Sequence, residues 1–278
     1  MMYSLTFVSI QYIKSKYKGA TFWSWEKSNF RHPHTNGVYW PNVIGIIWYL
    51  IIVFIGGTCV VYTFQFCIYG NINQGIITSL FGLSSIFSAI MAYFLFGDKL
   101  KIYHVAGMIL MLLCVVGLGL GSTKNVSEHP QIMEESDNPL MYGLLAIILG
   151  IACPFFFALG GITVRYFGKH HKFNSVDMTI MYYLIGSFML VVGTILTYKF
   201  GSHEFILKEF LEMLISGLIG AVGGIFLNLA ISCGLAGPVF ALANIQVIIQ
   251  TLLDALIIGE IPTLIETVSA LFGVLGCC

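Results

Sequence analysis

A run of mostly apolar residues from Pro238 to Ile258 constrains the fold more than any other feature of this chain. As an α-helix it would be about 31 Å long, which matches the roughly 30 Å hydrocarbon core of a bilayer. Gln246, Gln250 and Asp254 recur at every fourth position and form one polar stripe along that helix. The two amides lie within about 3 Å of its midpoint, where an amide facing lipid would cost several kcal/mol. The run therefore predicts a membrane span whose polar stripe faces protein or water.

The composition extends this prediction to the whole chain. Of the 278 residues, 58% are hydrophobic and 9% are charged, whereas soluble domains carry about 25% charged residues. Several runs approach or exceed about 18 apolar residues, and the short alternating segments of an outer-membrane barrel are absent. We predict an all-α, polytopic helical membrane protein of about nine spans. Because 13 basic residues balance 13 acidic ones, bulk charge predicts no nucleic-acid partner.

The apolar runs predict two helical regions joined by a polar linker. A short apolar run at 1–13 is interpreted as a truncated helix, and eight spans are expected at 42–69, 76–96, 102–121, 139–166, 177–199, 210–233, 238–258 and 262–278. The domains expected are a first, incomplete helical repeat at 1–121, a polar lumenal linker at 122–138, and a second, five-helix repeat at 139–278.

The distribution of positive charge predicts the orientation. The connectors on one side of the predicted spans carry ten Lys and Arg residues (Lys14, Lys16, Lys18, Lys27, Arg31, Lys99, Lys101, Arg165, Lys169 and Lys172), and those on the other carry Lys124, Lys199 and Lys208. This excess assigns the first side, and with it the C-terminus, to the cytosol of a plasma membrane or endomembrane. The sequon at Asn125 falls on the opposite side and is the predicted glycosylation site.

The chain contains a weak internal repeat. Sliding it over itself by 162 residues aligns Gly75 with Gly237, Leu80 with Leu242, Gly97 with Gly259, and Asp98 with Glu260. Ser84 and Ser88 then align with Gln246 and Gln250, so the 76–96 span carries a smaller polar face at the same depth. An odd number of helices per repeat would give the two repeats opposite orientations.

Two segments of this repeat carry a resemblance to a known family. They are FSAIMAYFLFGDKLKIYHVAGMILMLLCVVGLGLG (87–121) and IIQTLLDALIIGEIPTLIETVSALFGVLG (248–276), and each has a span ending in Gly-Asp or Gly-Glu before a short turn and a Gly-rich closing helix. On these residues the chain resembles the EamA-type members of the drug/metabolite transporter superfamily. The resemblance implies ten helices in two inverted five-helix repeats around a central cavity. Against that pattern the first helix of the first repeat is missing and the second is truncated.

In proteins of this kind the fourth helix of each half lines the cavity. The resemblance therefore implies substrate contacts at Ser84, Ser88, Asn244, Gln246 and Gln250. The alternative is that these groups make interhelical hydrogen bonds, which average about 0.6 kcal/mol in bilayers. We expect Asn228 and Gln65, single polar residues in other spans, to act as such helix–helix contacts.

Two further residues are interpreted functionally. Asp254 lies about 9 Å from the middle of its span, where an ionisable group is a candidate for ion coupling; the alternative is an acid that caps the helix or reaches the headgroups. Pro154 interrupts the span at 139–166 and deprives the carbonyl of Gly150 of its donor, which predicts a gate or hinge helix; the alternative is a tolerated kink.

The placement of charged residues and cysteines limits the classes of solute and metal site that the chain could have. No Lys or Arg lies in the middle of a predicted span, which favours neutral, amine-bearing or weakly acidic solutes. The basic cluster at Arg165, Lys169, His170, His171 and Lys172 is interpreted as an ordinary cytosolic flank, with a phosphate site as the alternative. The seven cysteines lack CxxC pairs and are interpreted as small apolar packing residues, so we expect no metal site. No cofactor is expected either.

These observations together predict a non-enzymatic transporter. It would move a small organic solute by alternating access, with proton or ion coupling left open. An enzyme is not predicted because none of the common soluble-enzyme motifs is present. The alternative is a non-transporting integral membrane subunit or scaffold. The expected partners are the solute and the lipid bilayer, and a homodimer is left open.

Overall fold

The computed structural model describes residues 29–30, 37–70, 77, 80–121, 138–200, 207–257 and 263–277. Within these ranges the chain forms nine α-helices: α1 (Trp40–Tyr69), α2 (Ser84–Phe96), α3 (Ile102–Gly121), α4 (Pro139–His171), α5 (Ser175–Phe200), α6 (Leu207–Cys233), α7 (Ala236–Ala243), α8 (Ile245–Ile257) and α9 (Leu264–Cys277). A 3-10 helix, η1 (Phe81–Leu83), directly precedes α2. The short N-terminal run and the Asn125 sequon lie outside the described residues.

Four segments of these helices are long and apolar enough to cross a membrane: Trp40–Tyr69, Leu140–His171, Ser175–Ile195 and Ile215–Cys233. Two shorter apolar helical segments, Phe81–Phe96 (η1 with α2) and Ile102–Gly117 (within α3), complete the set found in the described residues. Because backbone groups in lipid must bond within their own segment, such runs fold as helices. The predicted all-α, polytopic membrane class is confirmed.

The prediction of one continuous helix over 238–258 is wrong. Ala236–Ala243 and Ile245–Ile257 are separate helices, and Asn244 between them has φ −69° and ψ −8°. Asparagine is a poor residue for a helix interior because its amide competes with the backbone for hydrogen bonds. The predicted span at 76–96 is interrupted as well, since η1 precedes α2 and has Gly82 at its centre.

The two interruptions fall at equivalent positions of the repeat. Gly82 and Asn244 lie 162 residues apart, and so do Ile102 and Leu264, the first residues of α3 and α9. The repeat therefore extends from residue identity to the positions where helices start and break. The predicted helix end at Gly97 is also confirmed, because Gly97 follows α2 with φ +67°, a conformation that residues with a Cβ rarely adopt.

One compact unit comprises Ile51–Ile162 and Cys233–Cys278, and its closing helices pack directly on each other. A Cβ placed on Gly107 would lie 2.8 Å from the oxygen of Gly276, and one on Gly276 would lie 2.9 Å from the oxygen of Gly107. Further along α3, Gly117 meets the side chain of Ser269. Since the partner position moves backwards along α9 as α3 advances, the two helices are antiparallel. Repeats of opposite orientation require this arrangement.

The other compact unit comprises Met1–Leu50 and Thr163–Ser232. In it Gly45 of α1 packs under the ring of Phe167 of α4, where an added Cβ would lie 2.7 Å from the ring. The boundary between the two units falls inside α1 and inside α4, so the division reflects packing and not the sequence repeat. The predicted repeats at 1–121 and 139–278 and the linker at 122–138 remain predictions.

Candidate solute-binding site

The serines predicted as substrate contacts on the first repeat are buried at the start of α2. Ser84 is 6% exposed and Ser88 is fully buried. The hydroxyl of Ser88 donates to the carbonyl oxygen of Ser85 at 2.9 Å, and the hydroxyl of Ser85 donates to that of Gly82 at 2.9 Å. These bonds serve backbone carbonyls where the 3-10 helix changes to the α-helix. In this conformation Ser88 therefore has a structural bond.

Asn244 occupies the corresponding interruption in the second repeat, and its surroundings are different. The residue is 8% exposed, and its side-chain nitrogen Nδ2 is buried without a hydrogen-bond partner among the described residues. Its backbone nitrogen donates to the oxygen of Ala241 at 3.1 Å, which closes the turn. A buried amide group without a partner costs about 1–3 kcal/mol. Such a group in a protein calls for a water, a ligand or a second conformation that pairs it.

The polar stripe of the second repeat lies on α8. Gln246 is exposed, whereas the side chains of Gln250 and Asp254 are not described. The buried side of α8 is defined by Ile248, which packs against Cys114 of α3 and Ala270 of α9. At about 100° per residue, the positions of Gln246 and Gln250 are each about 160° from Ile248. The stripe is therefore on the side of α8 opposite its contact with the closing helices.

The interrupted helices of the two repeats pack closely on each other. A Cβ placed on Gly237 of α7 would lie 2.7 Å from the Cβ of Ala89 of α2. Ala241 of α7 joins Ala89, Met108 and Met111 in one buried apolar cluster. Small residues allow this approach, as they do in membrane helix pairs generally. The structure thus brings together α2, which carries the predicted serines, and α7, which leads into the Asn244 turn.

Pro154 lies within α4, as predicted, and its side chain is buried. One turn before it, an added Cβ on Gly150 would lie 3.1 Å from Leu80, directly before η1. Next to the proline, the sulfur of Cys153 donates to the oxygen of Gly56 at 3.8 Å. The part of α4 around Pro154 therefore contacts both α1 and the chain entering η1. The hinge role of Pro154 stays a prediction.

Sequence reasoning missed most of a buried polar network in the other unit. The Nδ2 of Asn228 on α6 donates to the hydroxyl of Tyr49 on α1 at 2.9 Å and to that of Thr179 on α5 at 3.0 Å. The ring of Tyr49 meets that of Tyr182 edge-on, with centroids 5.0 Å apart. The prediction that Asn228 is a helix–helix contact is confirmed. Its partners gave no signal because single tyrosines and threonines in apolar runs have no distinctive spacing.

The same prediction for Gln65 is wrong. Its Nε2 donates to the hydroxyl of Tyr69 at 3.4 Å, which is one turn further along the same helix, and the side chain is exposed. Residues four apart on a helix are neighbours, so this pair needs no second helix. Gln65 therefore bonds within α1.

Comparison with known proteins adds two matches. Residues 144–278 match the EamA-like transporter family. A solved structure, described only as "Crystal structure of protein", has a TM-score of 0.64 and 17% sequence identity, over 99% of this chain and 86% of that chain. At this identity the likeness concerns the fold. None of the curated proteins matches the chain.

Proposed function

We propose that this chain, whose residues 144–278 match the EamA-like transporter family, moves a small organic solute across a membrane by alternating access. The family match over residues 144–278 and the long apolar helices support an integral membrane protein of transporter type. We further assign a solute site to the interrupted helices of the two repeats. The observation that carries it is the buried Nδ2 of Asn244, which has no partner among the described residues and lies at one of two matching interruptions.

Interrupted helices support a solute site for a physical reason. In carriers built from inverted repeats, solute and ion sites form where spans are discontinuous, because the break releases backbone groups from the helix. Here η1 and the Asn244 turn lie 162 residues apart, so both repeats carry a break. A solute site at these two breaks would account for both of them.

The two repeats would contribute unequally to that site. Asn244, Gln246 and Gln250 offer amide donors and acceptors long enough to reach a solute, whereas Ser88 already donates to its own helix. Ser84 and Ser88 would then act mainly as small, weak acceptors on the opposite side of the solute. Amides pair with carbonyl, hydroxyl or ammonium groups. We therefore propose a neutral, amine-bearing or weakly acidic solute.

Coupling and movement are assigned to two further residues. Asp254 follows Gln250 on the same stripe of α8 and would bind the coupling proton or cation. Pro154 would let α4 bend. Because Gly150 packs against Leu80, that bend would move the chain directly before η1. No covalent chemistry is required of any residue, so the proposed activity is transport and not catalysis.

The proposed orientation has a cytosolic C-terminus and a lumenal Asn125. It is supported by the ten-to-three distribution of Lys and Arg between the two sets of connectors. Expression in cells that glycosylate membrane proteins tests it, because only a lumenal Asn125 is modified. Asn125→Gln is the matched control. If a sequon introduced after Arg31 were modified and Asn125 were not, the proposed orientation would be wrong.

Solute flux into vesicles tests the proposal. A metabolite panel is first screened for compounds that raise the thermal unfolding temperature of the purified chain, since a ligand of the folded state stabilises it. Uptake of the compounds found is then compared for the parent, Gln250→Leu and Asp254→Asn. We expect Gln250→Leu to lower flux by about tenfold or more, as loss of one hydrogen bond in a dry site predicts. Asp254→Asn should remove the dependence of flux on an ion gradient.

Gln65→Leu is the matched control, since it removes an exposed amide of another span. Its flux should stay within about twofold of the parent. Unchanged flux in Gln250→Leu and Asp254→Asn would remove the site assignment. A stabilising compound that is bound but never transported, together with a stoichiometric partner on purification, would favour a non-transporting subunit instead.

A further inference from the structure

The end of α4 concentrates positive charge. Arg165 and Lys169 lie in its last two turns, four residues apart and so on one side of the helix, and Lys172 follows its last residue. Lys169 and Lys172 are exposed, and Arg165 is partly exposed. Between residues 165 and 177 the only acidic residue is Asp177, which accepts a hydrogen bond from Asn29 at 2.7 Å. The segment thus carries three cations against one carboxylate.

One of these cations stands in an unfavourable backbone conformation. Lys172 has φ +52°, and it is the sole non-glycine residue with positive φ in the described part of the chain. In the left-handed region a Cβ approaches the following carbonyl, so glycine or asparagine usually ends a helix in this way. The helix dipole favours cations such as Lys169 near a C-terminus, but it does not require a lysine where glycine fits freely. Lys172 therefore places a charge at a backbone position that favours glycine.

The residue that follows Lys172 anchors the turn. Phe173, the next residue, is 2% exposed and meets the ring of Phe30 edge-on, with centroids 5.7 Å apart. Its backbone nitrogen donates to the oxygen of Phe167 at 3.2 Å and closes the end of α4. The neighbouring phenylalanine is therefore anchored in the core while Lys172 is exposed.

Aromatic side chains surround the same helix end. The hydroxyl of Tyr39 lies 2.9 Å from the Nδ1 of His171, and His170 stacks on Tyr166 with centroids 4.5 Å apart. Trp40, which follows Tyr39, is 66% exposed. Exposed aromatic residues beside cations are typical of the level of the lipid headgroups. The surface therefore combines positive charge with apolar rings.

We propose that this helix end binds the phosphate headgroup of an anionic phospholipid. We define the headgroup site as Arg165, Lys169 and Lys172. It lies at the end of the apolar segment Leu140–His171, where a bilayer places its headgroups, and the exposed Trp40 ring offers contact for the lipid beside the phosphate. A free anion would use the charges but not the rings. With the predicted orientation the site is in the cytosolic leaflet, which is rich in anionic lipid.

Binding of defined lipids by the purified full-length chain tests the proposal. The chain is titrated in neutral detergent with dioleoyl phosphatidylglycerol, dioleoyl phosphatidylcholine or inorganic phosphate, and binding is measured by the shift in thermal unfolding temperature and by native mass spectrometry. We expect phosphatidylglycerol alone to bind. Each cation near an anionic headgroup contributes about fivefold. The triple change Arg165→Gln, Lys169→Gln, Lys172→Gln should therefore weaken binding by about 100-fold.

Lys172→Gly separates the charge from the fold. Because glycine adopts positive φ without strain, this variant should unfold at the same or a higher temperature without lipid, yet bind phosphatidylglycerol about fivefold more weakly. Lys99→Gln with Lys101→Gln removes two cations from another connector on the same predicted side and is the matched control. It should bind within about twofold of the parent.

Three outcomes would overturn the headgroup site. The first is wild-type binding of phosphatidylglycerol by the triple variant. The second is an equal loss in the Lys99 and Lys101 control, which would show attraction by overall charge only. The third is an equal shift with inorganic phosphate, which would make the site one for a soluble anion. Transport need not change in any of these variants, so the result stands apart from the proposed solute site.

Discussion

Two buried asparagines in this molecule have opposite surroundings. Asn228 on α6 is 7% exposed and donates both to the hydroxyl of Tyr49 and to that of Thr179. Asn244, between α7 and α8, is 8% exposed, and its Nδ2 has no partner among the described residues. Equal burial therefore accompanies full pairing in one case and an unpaired donor in the other. The partner, and not the burial, separates the asparagine that joins three helices from the one that we propose for the solute site.

The interruption in the first repeat sharpens this contrast. At its 3-10 helix the hydroxyl of Ser85 donates to Gly82, at the position equivalent to Asn244. A serine hydroxyl is short enough to reach the backbone of its own helix, and here it completes the distorted turn. The Nδ2 of Asn244 has no equivalent bond within the described part of the chain. The second repeat therefore holds the group that still requires a partner.

The largest expected effect is the loss of the paired asparagine. Asn228→Leu removes two hydrogen bonds and leaves the buried hydroxyl of Tyr49 without its donor, so we expect the free energy of unfolding to fall by about 3 kcal/mol. Thermal or chemical unfolding of the purified protein measures it. Gln65→Leu, which changes an exposed amide bonded within its own helix, should cost less than about 0.5 kcal/mol. Equal effects of the two changes would contradict the role given to Asn228.

The unpaired asparagine should respond with the opposite sign. Asn244→Leu replaces an amide whose buried Nδ2 has no partner among the described residues by an apolar group of similar length, so we expect the free energy of unfolding to rise by about 1 kcal/mol. Solute flux should fall by about tenfold, because the proposed donor to the solute is lost. Unfolding and vesicle uptake are measured on the same preparation. A destabilisation like that of Asn228→Leu would show that Asn244 also holds the fold.

A third change tests whether the pairing of Asn228 is specific. Tyr49→Phe removes one acceptor and should lower the free energy of unfolding by about 1 kcal/mol. Combined with Asn228→Leu it should cost about 1 kcal/mol less than the sum of the single changes, since both remove the same bond. A double-mutant cycle of unfolding free energies measures this coupling. Strict additivity would mean that the two groups do not interact.

The smallest effect is expected at the first interruption. Ser85→Ala should lower the free energy of unfolding by about 0.5 kcal/mol and leave flux within about twofold, because a hydroxyl bonded to its own helix contributes little. Ser187→Ala is the matched control, since Ser187 makes the same kind of bond to Leu184 inside the uninterrupted α5. A flux loss in Ser85→Ala as large as in Asn244→Leu would make the two interruptions equivalent.

Part of the candidate site was predictable from the sequence. Gln246 and Asn244 were identified as polar groups within an apolar run, and the structure places one exposed on α8 and the other in the turn before it. The break itself was not predicted, because hydropathy does not distinguish one span from two helices joined by a single residue. Gln65 and Asn228 looked alike in the sequence, yet one bonds within its helix and the other joins three helices.

The sequence by itself determined the membrane class, the approximate helix ends and the 162-residue repeat. These follow from local causes. The free energies of transfer from water to lipid add up over the consecutive residues of a span, and Gly97 ends a helix because glycine adopts positive φ freely. Only the tertiary structure decided that Gly107 meets Gly276, that Asn228 is paired and that Asn244 is not paired within the described residues. The reason is physical, since a hydrogen bond or a close backbone contact depends on groups that lie far apart along the chain and become neighbours only when the helices pack.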